Sequence, residues 1–194
     1  NPRVEGEKLV VPFKQEMYFT TDKRASTRAI EKDIQKFRQA YQAKLKAHGD
    51  QAEVFNAIQN VMNWNVKYNP REKQVITPVS QTWAYGWGKG EYGGFILFDW
   101  DNFFAAYMHG LESKVMAYNE AIQMCREIDD LGFVPNFSGP DDLKSRDRSQ
   151  PPVGSKMVLE IYKQHPEKWF LEEVFDRLLT WNRWWKENRD HEGY

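Results

Sequence analysis

Cysteine is nearly absent from this sequence: Cys125 stands alone among 194 residues. An internal disulfide is therefore excluded, and the fold has to rest on packing. An excess of either charge is also lacking, with 27 basic and 28 acidic side chains and a net charge of -1. No basic field of the kind that attracts nucleic acid is present. Histidines are few (His48, His109, His165 and His191) and stand far apart without the spacing of a zinc site. No other motif calls for a metal or a cofactor. No apolar run approaches the length of a membrane span, and no signal-peptide pattern precedes Asn1. The first residue is not methionine, so a removed leader or an upstream region stays open, and with it the compartment. A repeat of fixed period is missing too, which argues against a solenoid.

Aromatics, by contrast, are abundant. Eight Trp, nine Tyr and twelve Phe make 15% of a chain whose mean hydropathy is only -0.77. Many belong to helix-packing stripes, where large rings bury the most area per residue. Trp83, Tyr85, Trp87, Tyr92 and Trp100 fall instead in loop-like sequence, where aromatics more often line a cleft than fill a core.

Residues 1–24, with Pro2, Gly6, Pro12 and the β-leaning Leu9, Val10, Val11 and Phe13, read as an extended lead-in or linker. Residues 25–194 read as one helical region. Ser26-Thr27 opens a helix whose apolar positions Ile30, Ile34, Phe37, Tyr41 and Leu45 form one stripe, expected to be buried. Gly49-Asp50 closes it. A second helix over about 51–67 places Val54, Phe55, Ile58, Val61 and Met62 on one face, ending before Asn69-Pro70. Between 70 and 100 glycines recur at 86, 88, 90, 93 and 94, with short strands at Val75–Thr77 and Phe95–Phe98. Helices are expected at about 102–109, at 112–129 (Val115, Tyr118, Ile122, Cys125), from Pro151-Pro152 to His165, and from Pro166 onward. The stripe of the last is Phe170, Val174, Leu178, Trp181 and Trp185. Helix pairs joined alternately by short turns and long loops suit helical hairpins arranged in a ring, with the long loops at one mouth.

Two of those loops carry polar groups suited to sugars. In Asp99-Trp100-Asp101-Asn102-Phe103-Phe104 an indole and a carboxylate stand side by side at a helix start, offering an apolar face and a hydroxyl acceptor together. Alternatively, Asp101 is only the cap of a helix beginning at Asn102. In Arg148-Ser149-Gln150-Pro151-Pro152 the guanidinium is a fixed fork of donors, and the amide is both donor and acceptor. Here the alternative is a turn that caps the Pro151 helix.

Taken in order, Gly94-Phe95 through Phe104, then Gly132-Phe133-Val134-Pro135-Asn136, then Arg148-Ser149-Gln150-Pro151-Pro152-Val153-Gly154-Ser155, the chain resembles glycoside hydrolase family 63. Its relatives include trehalases and mannosylglycerate-hydrolase-like enzymes. The resemblance covers roughly residues 60–194. It implies an all-α, (α/α)6 toroid of helical hairpins, about half of it present, with short strands in the long loops. It also implies hydrolysis of an α-glycosidic bond with inversion. By the same resemblance Trp100, Asp101 and Phe103 line the sugar subsite, while Asn136, Arg148 and Gln150 bind hydroxyls.

Inverting glycosidases hold two carboxyl groups about 6.5–9.5 Å apart, one as acid and one activating water. The resembled family carries its acid in a Glu-Ser-Gly-x-Asp type loop after the Arg-Ser-Gln-Pro-Pro block, and its base later still. Both are expected downstream of Tyr194, so no catalytic residue is assigned here. Asp99 with Asp101, or Asp141, Asp142 and Asp147, are the local carboxylates that could stand in. The implied partners are an oligosaccharide or glycoside and the remainder of the catalytic domain, on this chain or another, with neither nucleic acid nor membrane. The competing reading is a non-catalytic helical module that binds a saccharide or a protein.

Overall fold

The computed structural model describes residues 3–12, 25–70, 73–79, 96–139 and 143–192. Phe13, Trp83, Tyr85, Trp87, Tyr92, the glycines at 86–94, and Asp141 and Asp142 lie outside them. The chain divides into two compact units, Asn1–Phe55 and Asn56–Tyr194.

In the first unit β1 (Arg3–Glu5) and β2 (Lys8–Val10) form an antiparallel hairpin in the register Arg3↔Val10. Gly6 turns it at φ +61°, a conformation open to glycine without cost. Helix α1 (Thr27–Ala47) starts where Ser26 Oγ accepts the Ala29 N–H at 3.3 Å, as the Ser-Thr signal predicts. Its apolar stripe is real, but the expected burial is not. Ile30, Tyr41 and Leu45 are half-covered and Phe37 is 73% exposed.

Helix α2 (Ala52–Asn65) buries Phe55, Gln59 and Met62 and turns Val54 and Val61 outward. The buried face is thus rotated from the one that the hydrophobic pattern suggests. A polar residue, Gln59, takes an inward place because its Nε2 donates to the Met108 carbonyl at 3.3 Å. A strand that the pattern does not reveal, β3 (Lys67–Asn69), pairs antiparallel with β4 (Gln74–Ile76).

The later helices described in the second unit form two hairpins. Helices α3 (Asp99–Gly110) and α4 (Lys114–Arg126) are joined through Ser113, whose Oγ accepts the Met116 N–H. Helices α5 (Gly154–Gln164) and α6 (Lys168–Arg189) follow one another closely. α3 packs on α4 and α5, and α4 and α5 each pack on α6. Small side chains set the α3–α4 spacing: Ala106, Ala117 and Ala121 have no exposed surface. Phe170, Val174, Leu178 and Trp181 of α6 are buried as their four-four-three spacing demands. On α4, Tyr118 and Cys125 point inward, whereas Val115 is outside. Among the described residues the architecture is all-α, with short two-stranded ladders before α1 and in the connections.

The loop after α4 is held by an Asx turn. Asp129 Oδ1 accepts the N–H groups of Leu131 at 3.0 Å and Phe133 at 2.9 Å. Gly132, at φ +87°, passes so close to α6 that a Cβ there would lie 2.5 Å from the Thr180 carbonyl oxygen. This loop continues into β6 (Phe137–Ser138), which pairs with β5 (Leu97–Phe98) immediately before α3.

Candidate functional site

An α-helix begins with N–H groups that have no partner inside it. At the start of α3 one N–H is satisfied within the helix and two from elsewhere in the chain. The Phe98 N–H donates to Asn102 Oδ1 at 2.7 Å, the Asp99 N–H to the Asn136 carbonyl at 3.3 Å, and the Trp100 N–H to Gln150 Oε1 at 2.9 Å. The Asn136 N–H in turn donates to the Arg148 carbonyl at 3.0 Å. Three separate motifs, Trp100-Asp101, Asn136 and Arg148–Gln150, are therefore hydrogen-bonded into one junction. This also explains why α3 begins at Asp99 rather than Asn102. Asp101 sits inside the first turn and makes no side-chain cap.

Trp100 is 38% exposed, with its ring edge-tilted 6.1 Å from Phe104. Asp101 and Asn136 are half-buried, and Arg148 is exposed and paired with Asp147 at 2.5 Å. Gln150 is half-buried, and its side-chain oxygen is engaged by the Trp100 N–H, which leaves the NH2 group as its donor. Phe103 differs from the expectation. It has no exposed surface and stacks on Trp181 at 5.7 Å, in the core behind Trp100. One turn position separates it from Asp101, but a helix rotates it by about two hundred degrees, to the opposite face. Asp99 and Asp101 separate likewise: Asp99 is buried and Asp101 is not. An indole, a carboxylate, a guanidinium and an amide are thus carried by residues of one junction, groups whose chemistry suits hydroxyls.

A family model, the mannosylglycerate hydrolase MGH1-like glycoside hydrolase domain, matches residues 96–194. The chain belongs to this family. The match starts at β5 and takes in the whole junction as well as α3 to α6.

Beneath the junction the MGH1-like domain carries a buried polar network that the sequence reading did not assign. Asn102 Nδ2 donates to the Thr77 carbonyl at 2.8 Å and to Glu120 Oε1 at 2.5 Å. Thr77 Oγ1 lies 2.8 Å from His109 Nε2. Burial pushes the Glu120 carboxyl up to about 8, and burial likewise lowers His109 to about 4, so both are uncharged at neutral pH. Asp99 is raised to about 8, again chiefly by burial, against a partial opposing effect of the Gln150 N–H and the Ser149 hydroxyl. One signal for Glu120 was available. It falls three residues after Ala117 and four before Met124, on the apolar face of α4, where a carboxylate has to find a partner.

These shifts make the stability of the MGH1-like domain depend on pH in a definite direction. Asp99 and Glu120 remain protonated in the fold up to about 8, whereas ordinary carboxyls ionise near 3.8 and 4.5. The unfolded chain binds fewer protons, so each group withdraws stability as pH rises toward 8. His109 acts oppositely, withdrawing stability as pH falls from 6.5 toward 4. Between pH 6.5 and 8 only the acids act. The melting temperature is expected to fall across that interval and to level off above it. Thermal unfolding scans at half-unit pH steps measure this, and a rise between pH 6.5 and 8 would contradict it.

Proposed function

We propose that this glycoside hydrolase acts on an α-glycosidic bond with inversion, and that residues 96–150 supply the sugar-binding part of its active site. The carrying observation is the Trp100 N–H to Gln150 Oε1 hydrogen bond, which joins motifs fifty positions apart into one surface. In this reading Trp100 lies against the sugar ring and Asp101 accepts from its hydroxyls. Arg148, Asn136 and Gln150 donate to the same sugar, and Phe103 supports them from behind. The helical hairpins are part of an (α/α)6 toroid completed by the remainder of the catalytic domain. The general acid and base are contributed by that remainder, as the resemblance implies; of the local carboxylates, Asp99 is buried and Asp147 is engaged by Arg148. The same two facts favour the second reading, a saccharide-binding module without chemistry.

Arg148→Ala tests the proposal. Its ion pair with Asp147 is exposed, and such pairs contribute little to stability. The variant should keep its melting temperature but lose about tenfold to a hundredfold in glycoside affinity, the worth of one charge-assisted hydrogen bond. Titration calorimetry with aryl and disaccharide α-glycosides measures it, and unchanged affinity would remove Arg148 from the site. With the complete catalytic domain, proton NMR of the first product separates the readings. A β-anomer shows inversion, and no product at all leaves the binding module.

A further inference from the structure

Glu120 is a buried acid of α4 that the proposed sugar subsite does not use. It has no exposed surface, and a carboxyl group kept from water needs a partner inside the protein. One of its oxygens has one: Asn102 Nδ2 donates to Glu120 Oε1 at 2.5 Å. The other oxygen has no hydrogen-bond partner. An asparagine amide carries two hydrogens on its nitrogen and an acceptor on its other side. At Asn102 all three are engaged. The Thr77 carbonyl takes one hydrogen at 2.8 Å, Glu120 takes the second, and Oδ1 receives the Phe98 N–H at 2.7 Å. Thr77 is itself fixed, with its Oγ1 2.8 Å from His109 Nε2 of α3. Asn119, the neighbour of Glu120 on α4, donates to the Val75 carbonyl of β4. Helices α3 and α4 and the end of β4 thus close around one amide.

We propose that Glu120 is a positioning residue: from α4 it anchors the Asn102 amide, and through it the strand-to-helix turn at Phe98 that leads into Trp100 and Asp101. Phe98 is where β5 ends, paired with Phe137, and where the chain enters α3. Its N–H lies at the point of that turn, and Asn102 Oδ1 is the acceptor that holds it. With Thr77 alone on the nitrogen side, the amide has one anchor and swings about it. With Glu120 as well, it is held from two elements, and Oδ1 stays on the Phe98 N–H. An apolar residue at position 120 fills the space but leaves one buried N–H hydrogen unmet, which is the costly case. Trp100 and Asp101 follow Phe98 by two and three residues, so they inherit any looseness of the turn.

The inference rests on the sugar-site reading only for that last consequence, so its primary readout needs no sugar. Hydrogen exchange at the Phe98 amide is to be measured in the whole chain for the wild type, Glu120→Gln and Glu120→Leu, with α6 amides as the folding reference. Glu120→Gln keeps a side-chain oxygen at the same reach and should keep Phe98 protection within about twofold. Glu120→Leu keeps the bulk but loses the acceptor. It should lower Phe98 protection roughly tenfold beyond any change in α6, as for one lost buried hydrogen bond. In the same variant one Asn102 Nδ2 hydrogen, followed by nitrogen-edited NMR, should become fast-exchanging. Should Glu120→Leu fail to fold, Glu120→Asp, whose carboxyl is withdrawn by one methylene, is read against the same criteria. Unchanged Phe98 protection in Glu120→Leu, a fall shared equally by Phe98 and α6, or a loss in Glu120→Gln equal to that in Glu120→Leu would each overturn the role. Affinity for aryl and disaccharide α-glycosides is measured on the same proteins, with a severalfold weakening expected in Glu120→Leu that Glu120→Gln restores. If none binds a glycoside yet the Phe98 pattern holds, the sugar-site reading fails and the anchoring of the turn stands.

Discussion

Truncating Trp181 to alanine is expected to destabilise the second unit by about 3–5 kcal/mol, the range for a large buried aromatic. Trp181 is buried against Phe103, and its indole N–H has no partner, so the cost is one of packing alone. Relaxation offers little relief there. A Cβ on Gly154 would lie 2.5 Å from Trp181 Cζ3 and 2.7 Å from Phe103 Cζ, which shows how tightly α3, α5 and α6 meet. Once the ring is removed, a cavity remains that three helix backbones cannot close without shifting. Urea denaturation followed by far-ultraviolet circular dichroism measures the change. A loss below about 1 kcal/mol would mean that the three helices collapse freely into the space.

Asn102→Ala is expected to cost about 3 kcal/mol or more, through polar groups rather than volume. It orphans the Phe98 N–H, the Thr77 carbonyl and the Glu120 carboxyl together, and each buried group left unmade costs about 1–3 kcal/mol. Asn102→Asp keeps the acceptor for Phe98 but not the donor to Thr77, so its loss should be intermediate. The two variants should also weaken glycoside binding in the same order, because the first turn of α3 carries Trp100 and Asp101. Chemical denaturation and ligand titration on both variants check this. An alanine variant as stable as the wild type would show that the network is dispensable.

The sequence revealed most where hydrophobic spacing and burial agree. The stripe of α6 and the cap of α1 were readable because each depends on local pattern alone. The face of α2 was misread because Gln59, a polar residue, is held inward by a distant carbonyl that periodicity does not show. The start of α3 was placed three residues late for a related reason. Its cap is not a side chain before the helix but Asn136 and Gln150, which no local rule connects to Asp99 or Trp100. The motifs taken in order do meet at one junction, but Phe103 turns into the core, since a linear motif does not distinguish the two faces of a helix. The hidden acids, Asp99 and Glu120, needed coordinates, because burial of a carboxylate is a property of the packed chain.

The outsourced cap of α3 has a consequence for how such a domain can be altered. Most helices carry their own terminators, so the loops around them can be exchanged one at a time. Here two loops serve as the terminators, one through the Asn136 carbonyl and one through the Gln150 side chain. Grafting either loop alone from a relative would leave a helix N–H uncapped unless the carbonyl at 136 kept its place or the side chain at 150 its acceptor. The start of α3 is therefore set by a block comprising residues 97–102, 136–138 and 148–150, and engineering has to move the block whole.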